Sequence, residues 1–199
     1  MIDRLFTLVY FAGLVVETVL RLPYERQRRQ ITKTDQRVSS TERGLLAALS
    51  VGGLILPLIY SLTGWLRFAN YRWSPTTKVR AGSLGSLLLA AALWLFWRAH
   101  HDLGSNWSPS LEIGAQHTLI THGVYRRVRH PMYASGWLLG LAQALLVQNW
   151  IAGLATVAAF LPLYAMRVPR EEQMMLEHFG DAYRAYAAQT GRIVPRLRG

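Results

Sequence analysis

The chain has 199 residues, of which 51% are apolar and only 17% charged, and it carries no cysteine. Disulfides, thiolate metal sites and thiol nucleophiles are thereby excluded, and the balance is that of a small polytopic membrane protein rather than a soluble domain. The formal net charge of +11 points to anionic lipid headgroups as the partner, in preference to nucleic acid.

Five apolar segments appear in order, each near the length that a helix needs to cross a bilayer. The first, about 4–22, lies between Arg4 and Arg21. It lacks a basic leader and a clear small-residue cleavage site, so it reads as a retained helix. Glu17 inside it is satisfied by Arg21 one turn on. The next segments are about 44–66, 81–98, 131–147 and 150–166. Only Gln148 and Asn149 separate the last two, which therefore read as a tight helical hairpin. Beyond them, residues 170–190 place Met174, Met175, Leu176, Phe179, Tyr183 and Tyr186 at helical spacing, with Gly180 as a break. The expected fold is all-α: about five transmembrane helices and a C-terminal amphipathic helix on the cytoplasmic membrane face. Seventeen of the 22 lysines and arginines fall on the side of the 23–43 loop, the 99–130 loop and the tail. The N-terminus is then outside, and that loop and tail share the cytoplasm.

Three stretches carry candidate chemistry. In THGVYRRVRHPMY, residues 121–133, Pro131 suits the first turn of a helix, where its missing N–H costs nothing. The amides and dipole of that helix, with Arg129 and His130, suit a carboxylate or phosphate. Met132 and Tyr133 are placed to line an apolar contact beside it. In RVPREE, residues 167–172, two arginines and two glutamates follow the last span. They serve either as helix-end charge compensation or as a pocket in which Glu171 or Glu172 holds an ammonium and Arg167 clamps a carboxylate. His100, His101 and Asp102 invite a metal, but adjacent histidines on a helix point apart and no ligand spacing is present; no metal is expected. No phosphate-binding loop, dinucleotide fingerprint or nucleophile elbow occurs in the sequence.

In these residues the chain resembles the isoprenylcysteine carboxyl methyltransferase family, in its smaller prokaryotic form. The resemblance covers about residues 98–195 and rests on DLGSNWS (102–108), LITHGVYRRVRHPMYASGW (119–137), RVPREE (167–172) and FGDAYRAYAAQTGRIVP (179–195). It implies an S-adenosyl-L-methionine-dependent membrane methyltransferase forming one domain, with residues 1–97 as N-terminal spans and 98–199 as the cofactor-binding and catalytic region. Arg129, His130, Pro131, Tyr133, Glu171, Glu172, Tyr183 and Tyr186 fall on positions that the family uses for the cofactor. Arg167 falls on the arginine expected to hold the substrate carboxylate.

The resemblance further implies a lipid-tailed or isoprenoid acceptor, entering from the bilayer while the cofactor enters from the cytoplasm of a bacterial or archaeal cell. A carboxylate nucleophile is already ionised at neutral pH and needs no base. A phospholipid amine or small thiol is the alternative acceptor, and it requires a base that the sequence does not single out. A nicotinamide-dependent membrane reductase and a non-enzymatic scaffold are the remaining alternatives, because related C-terminal regions serve several chemistries.

Overall fold

The computed structural model describes residues 2–28, 33–36, 39–107, 112–114 and 118–196. Arg29, Arg37, Ser108 and Arg198 of the sequence reading lie outside them. Among the described residues the chain is helical. Helix α1 spans Ile2–Arg28. Helix α2, Ser40–Ser50, continues through a single π turn, Val51–Ile55, into α3, Leu56–Leu62. Helix α4 spans Pro75–Leu103, α5 Pro131–Val147, α6 Ala155–Phe179 and α7 Asp181–Gln189.

Three stretches are long and apolar enough to cross a membrane: Arg4–Gln27, Ser40–Leu62 and Pro75–Leu103. Helix α5 is a shorter apolar helix of 17 residues, about 26 Å at 1.5 Å per residue. The fifth predicted segment takes a different form. Residues 151–154 are turns, and the helix that follows is apolar only over Ala155–Met166 before running on without a break through Arg167, Arg170, Glu171 and Glu172. The interruption expected at Gly180 is present: its φ of +54° lies where glycine carries no Cβ penalty, and it ends α6 and starts α7. A short antiparallel ribbon, β1 (Lys33–Gln36) with β2 (Glu112–Gly114), adds a feature absent from the all-helical expectation.

The two ends of the bundle are each knitted from distant loops. At one end Asn149 joins the 63–74 loop to the α5–α6 turn. Its Nδ2 donates to the Leu66 carbonyl at 2.7 Å and to Asn70 Oδ1 at 2.9 Å, while its Oδ1 accepts from the amides of Ile151 and Ala152. At the other end the β1–β2 ribbon joins the 23–43 and 99–130 loops, and Arg129 N and His130 N donate to the Gly191 and Arg192 carbonyls. The grouping of loops inferred from charge is therefore the grouping seen.

Between these ends the core is Phe6, Tyr10, Leu89, Ala142, Leu146, Val147 and Ala152. Small residues on α4 allow close approach, as in membrane helix pairs generally. A Cβ on Gly85 would meet Leu145 Cβ at 2.9 Å and Leu146 Cγ at 3.0 Å. Leu5, Leu8, Val15, Val19, Leu87 and Leu161 are exposed on the outside of the bundle, a surface suited to acyl chains rather than water.

One buried polar knot crosses this core. Gln143 has no exposed surface. Its Oε1 lies 2.7 Å from Tyr10 Oη and 2.5 Å from Thr156 Oγ1, and its Nε2 donates to the carbonyls of Gly52 (2.9 Å) and Ala152 (2.6 Å). Both carbonyl lone pairs and both N–H groups of the amide are used. Gly52 belongs to the π turn, where the altered ladder leaves backbone groups to be satisfied from outside the helix.

Candidate active site

A cavity of about 650 Å³ opens between α1, α4, α5, α6 and α7. Of the residues singled out from sequence, Arg129, His130, Pro131, Tyr133, Arg167, Glu171, Tyr183 and Tyr186 lie on its wall. Pro131 stands at the start of α5 and directs His130 and Tyr133 to the same side, their rings 5.6 Å apart and edge-on. Tyr133 also meets Tyr164 edge-on at 5.8 Å, and its ring lies 6.0 Å from the Arg167 guanidinium carbon. The aromatic wall continues through Phe160, which packs edge-on against Trp137, 5.2 Å away. Arg126 and Arg127, in contrast, are exposed and away from the wall.

The two adjacent glutamates have separate environments. Glu172 is not on the cavity wall. Its Oε1 accepts from Arg129 Nε at 2.7 Å and lies 3.1 Å from His130 Nε2, and its Oε2 accepts from Arg192 at 2.7 Å. Burial raises its carboxyl pKa, but the hydrogen bonds from His130, Arg129 and Arg192 outweigh that and hold it at about 2. Glu172 thus ties the tail to the loop before α5, together with Arg129, which also donates to the Thr190 carbonyl at 2.7 Å. Glu171 faces the cavity. Its Oε2 is buried and lies 3.8 Å from His130 Nδ1, and the buried Tyr133 hydroxyl is close enough to the Glu171 carboxylate to interact with it, though neither is fully satisfied.

Helix α7 closes one side. Tyr183 is buried and Tyr186 donates from its hydroxyl to the Tyr125 carbonyl at 2.8 Å. Burial pushes the Tyr186 hydroxyl up to about 12, so it stays protonated and donating at neutral pH. Tyr125 is itself buried, its hydroxyl 3.4 Å from the Ala99 carbonyl. The DLGSNWS stretch works as a fastening for this loop. Asp102 accepts from the Val124 amide at 2.9 Å, and Asn106 accepts from the Thr118 amide at 2.8 Å. Gly123, at φ +58°, is required there: a Cβ would stand 2.0 Å from Asp102 Oδ2.

Arg167 has a partner that sequence reasoning missed. Its Nε lies 3.5 Å from Oε1 of Glu42, which is fully buried, and Arg167 itself is 7% exposed. The signal was hidden because Glu42 sits three residues after Ser39, whose side chain accepts from the Glu42 amide. That spacing is a helix-capping pattern, and it conceals a carboxylate that turns inward. His100, for which the sequence suggested no role once a metal was set aside, lies on the cavity wall, packed among Phe96, Trp107 and Tyr24. The Glu17–Arg21 pair forms as expected, at 3.1 Å.

Comparison with known proteins places this region. Residues 84–177 match the model of the isoprenylcysteine carboxyl methyltransferase (ICMT) family. Protein-S-isoprenylcysteine O-methyltransferase A of Arabidopsis thaliana is 33% identical over 79 residues, 40% of this chain and 40% of that one. The Protein-S-isoprenylcysteine O-methyltransferase of Tribolium castaneum is 34% identical over 100 residues, 48% of this chain and 35% of that one. The Homo sapiens protein of the same name is 26% identical over 146 residues, 71% of this chain and 51% of that one. The matches thus span about half or less of these relatives. A solved eukaryotic intramembrane Ras methyltransferase aligns over 82% of this chain and 55% of that chain, with 23% identity and a TM-score of 0.43. Over residues 84–177 this chain is thus similar to the isoprenylcysteine carboxyl methyltransferase family.

Proposed function

We propose that this protein is an S-adenosyl-L-methionine-dependent membrane methyltransferase that O-methylates a carboxylate on a lipid-modified, isoprenylcysteine-like acceptor. The observation that carries the reading is Glu171: a carboxylate with a buried, incompletely satisfied oxygen on the wall of an aromatic cavity. Such an oxygen is costly unless something completes it, and the ammonium of an amino-acid-type cofactor does so. The Tyr133 hydroxyl and the Tyr183 and Tyr186 rings fit the remainder of an adenosyl ligand. Arg129, His130 and Pro131 supply the wall nearest the cofactor carboxylate, and Glu172 holds Arg129 and His130 in place.

The cofactor, when bound, supplies a methyl group already activated on a sulfonium. The residues therefore position rather than activate. Glu171 anchors the amino end, and α7 closes over the site with Tyr183 and Tyr186. Arg167, buried and cationic, holds the acceptor carboxylate in line. Alignment of this kind contributes about 7–11 kcal/mol of barrier lowering when the geometry is near attack. The acceptor tail reaches the cavity between helices from the bilayer.

In this reading five segments cross the membrane, counting α5 and the apolar half of α6, and the end bearing α7 faces the cytoplasm as an amphipathic lid. The N-terminus is outside, and the membrane is that of a prokaryotic cell. The deciding experiment is calorimetry on the detergent-purified chain with S-adenosylhomocysteine and NADPH in parallel. Binding of the adenosyl ligand alone is expected. Binding of NADPH alone would replace the reading with a reductase.

A further inference from the structure

One face of α6 lines the cavity along its length: Thr156, Phe160, Leu163, Arg167, Glu171 and Met174. Steps of three or four residues put them on a single stripe, and the stripe has an order. Glu171 and Arg167, its charged members, lie toward α7. Leu163 and Phe160 follow as an apolar interval, and Thr156 ends it. From Arg167 to Thr156 the helix rises about 16 Å. Leu14 and Leu139 line the same cavity one helical turn from Tyr10 and Gln143.

The apolar interval stops at the polar knot. Tyr10, Gly53 and Thr156 stand on the cavity wall and belong to the knot as well. Tyr10 Oη lies 2.5 Å from the Gly53 carbonyl oxygen and 2.7 Å from Gln143 Oε1, and Thr156 Oγ1 lies 2.5 Å from the same Oε1. Tyr10 and Gln143 have no exposed surface; Leu146 and Ala152, packed in the same core, have none either and do not reach the cavity. A hydrocarbon chain passing this level would part hydrogen bonds between buried groups and offer none in return. The knot is therefore a floor.

We infer that Tyr10 is a specificity-determining residue: with Thr156 it closes the deep end of the cavity and limits the length of the acceptor's hydrocarbon tail. The inference rests on the reading of Arg167 as the carboxylate clamp, and it deepens it. An extended carbon chain advances about 1.25 Å per atom, given single bonds of about 1.5 Å. Roughly 13 atoms then fit between clamp and floor. A carboxylate joined through two carbons to a thioether uses roughly four of them, which leaves a tail of roughly nine main-chain carbons. The tail class is short, two isoprene units rather than three or four. Shorter tails lose affinity by about fourfold per methylene left unburied, and longer ones meet the floor.

The test is equilibrium binding to the full chain in detergent micelles, with a series of 3-(alkylthio)propionic acids running from hexyl to hexadecyl. Detergent is held constant, so that partition into micelles cancels when variant and wild type are compared at each length. Tyr10→Leu opens the floor. Its affinity relative to the wild type is expected to stay level through octyl and to reach about tenfold at dodecyl. Gly53→Ala works in the opposite direction. It keeps the carbonyl and adds a Cβ 3.3 Å from Thr156 Oγ1 and 3.8 Å from Tyr10 Oη. It is expected to weaken decyl binding about fourfold and to leave hexyl binding unchanged. If Tyr10→Leu does not fold, Gly53→Ala decides. Variant-to-wild-type ratios that do not change with tail length, or no binding of any probe, would overturn the assignment. S-adenosylhomocysteine, titrated in parallel, is expected to bind all three proteins alike. Its binding without a length shift would remove the floor and leave the methyltransferase reading standing; a length shift without its binding would do the reverse.

Discussion

Arg167→Met offers a sharp test of how this site is held, because it leaves Glu42 fully buried opposite nothing. At 3.5 Å and an effective dielectric constant of about 20, the lost attraction is about 5 kcal/mol. Removing one member of a buried pair costs about 3–5 kcal/mol in practice. The expected loss of stability is therefore about 3–5 kcal/mol, which on the scale of soluble chains of this size is on the order of 10 °C in Tm. Thermal unfolding of the purified protein in detergent, followed by tryptophan fluorescence, reads it directly. The double variant Glu42→Gln/Arg167→Met removes both charges and is expected to recover most of the loss. It is expected to stay inactive, because no cation remains to hold the acceptor carboxylate. A single variant that melts with the wild type, or a double variant no more stable than the single, would refute the pairing argument. A double variant with restored turnover would refute the clamp.

Three further outcomes follow from the geometry. The Glu172 carboxyl is depressed from its usual 4.5 to about 2, so its contribution is fully present above pH 4.5 and is lost as pH falls toward 2. The gap corresponds to about 3 kcal/mol, and protease cutting near residues 190–192 is expected to rise over that interval and at neutral pH in Glu172→Gln. Gly123→Ala places a Cβ against Asp102 at a positive φ; a loss of about 2–3 kcal/mol is expected, with faster hydrogen exchange at the Val124 amide. Gln143→Leu strands the Thr156 hydroxyl and removes the amide donors to the Gly52 and Ala152 carbonyls, while Tyr10 keeps its bond to the Gly53 carbonyl, and about 2–4 kcal/mol should disappear from unfolding in detergent.

The parts legible in sequence are those written in local patterns. Long apolar runs marked α1, the α2–α3 run and α4, and Gly180 marked the α6–α7 break. The motif residues His130, Tyr133, Glu171, Tyr183 and Tyr186 do converge on one cavity. What stayed hidden depends on direction and on distance through space. Adjacent residues on a helix point about 100° apart, so of Glu171 and Glu172 one faces the cavity while the other binds Arg129 and Arg192. A capping pattern masked Glu42, whose partner Arg167 lies far along the chain. The apolar run after Asn149 carries no mark of where its turn ends, so the shortened apolar part of α6 was not readable from composition.

The π turn at Val51–Ile55 amounts to one residue more than a straight α-helix would hold in the same length. It offsets the two halves of the α2–α3 rod by about 100° about their common axis. Upstream of it the rod turns Glu42 toward Arg167; downstream it buries Pro57. Gln143, by holding the Gly52 carbonyl, keeps that phase. Deleting a single residue between 51 and 55 would leave every apolar run intact and a hydropathy profile almost unchanged, yet swing Glu42 away from its arginine. The buried polar knot thus acts as a phase lock, setting the rotation of a carboxylate more than two helical turns away.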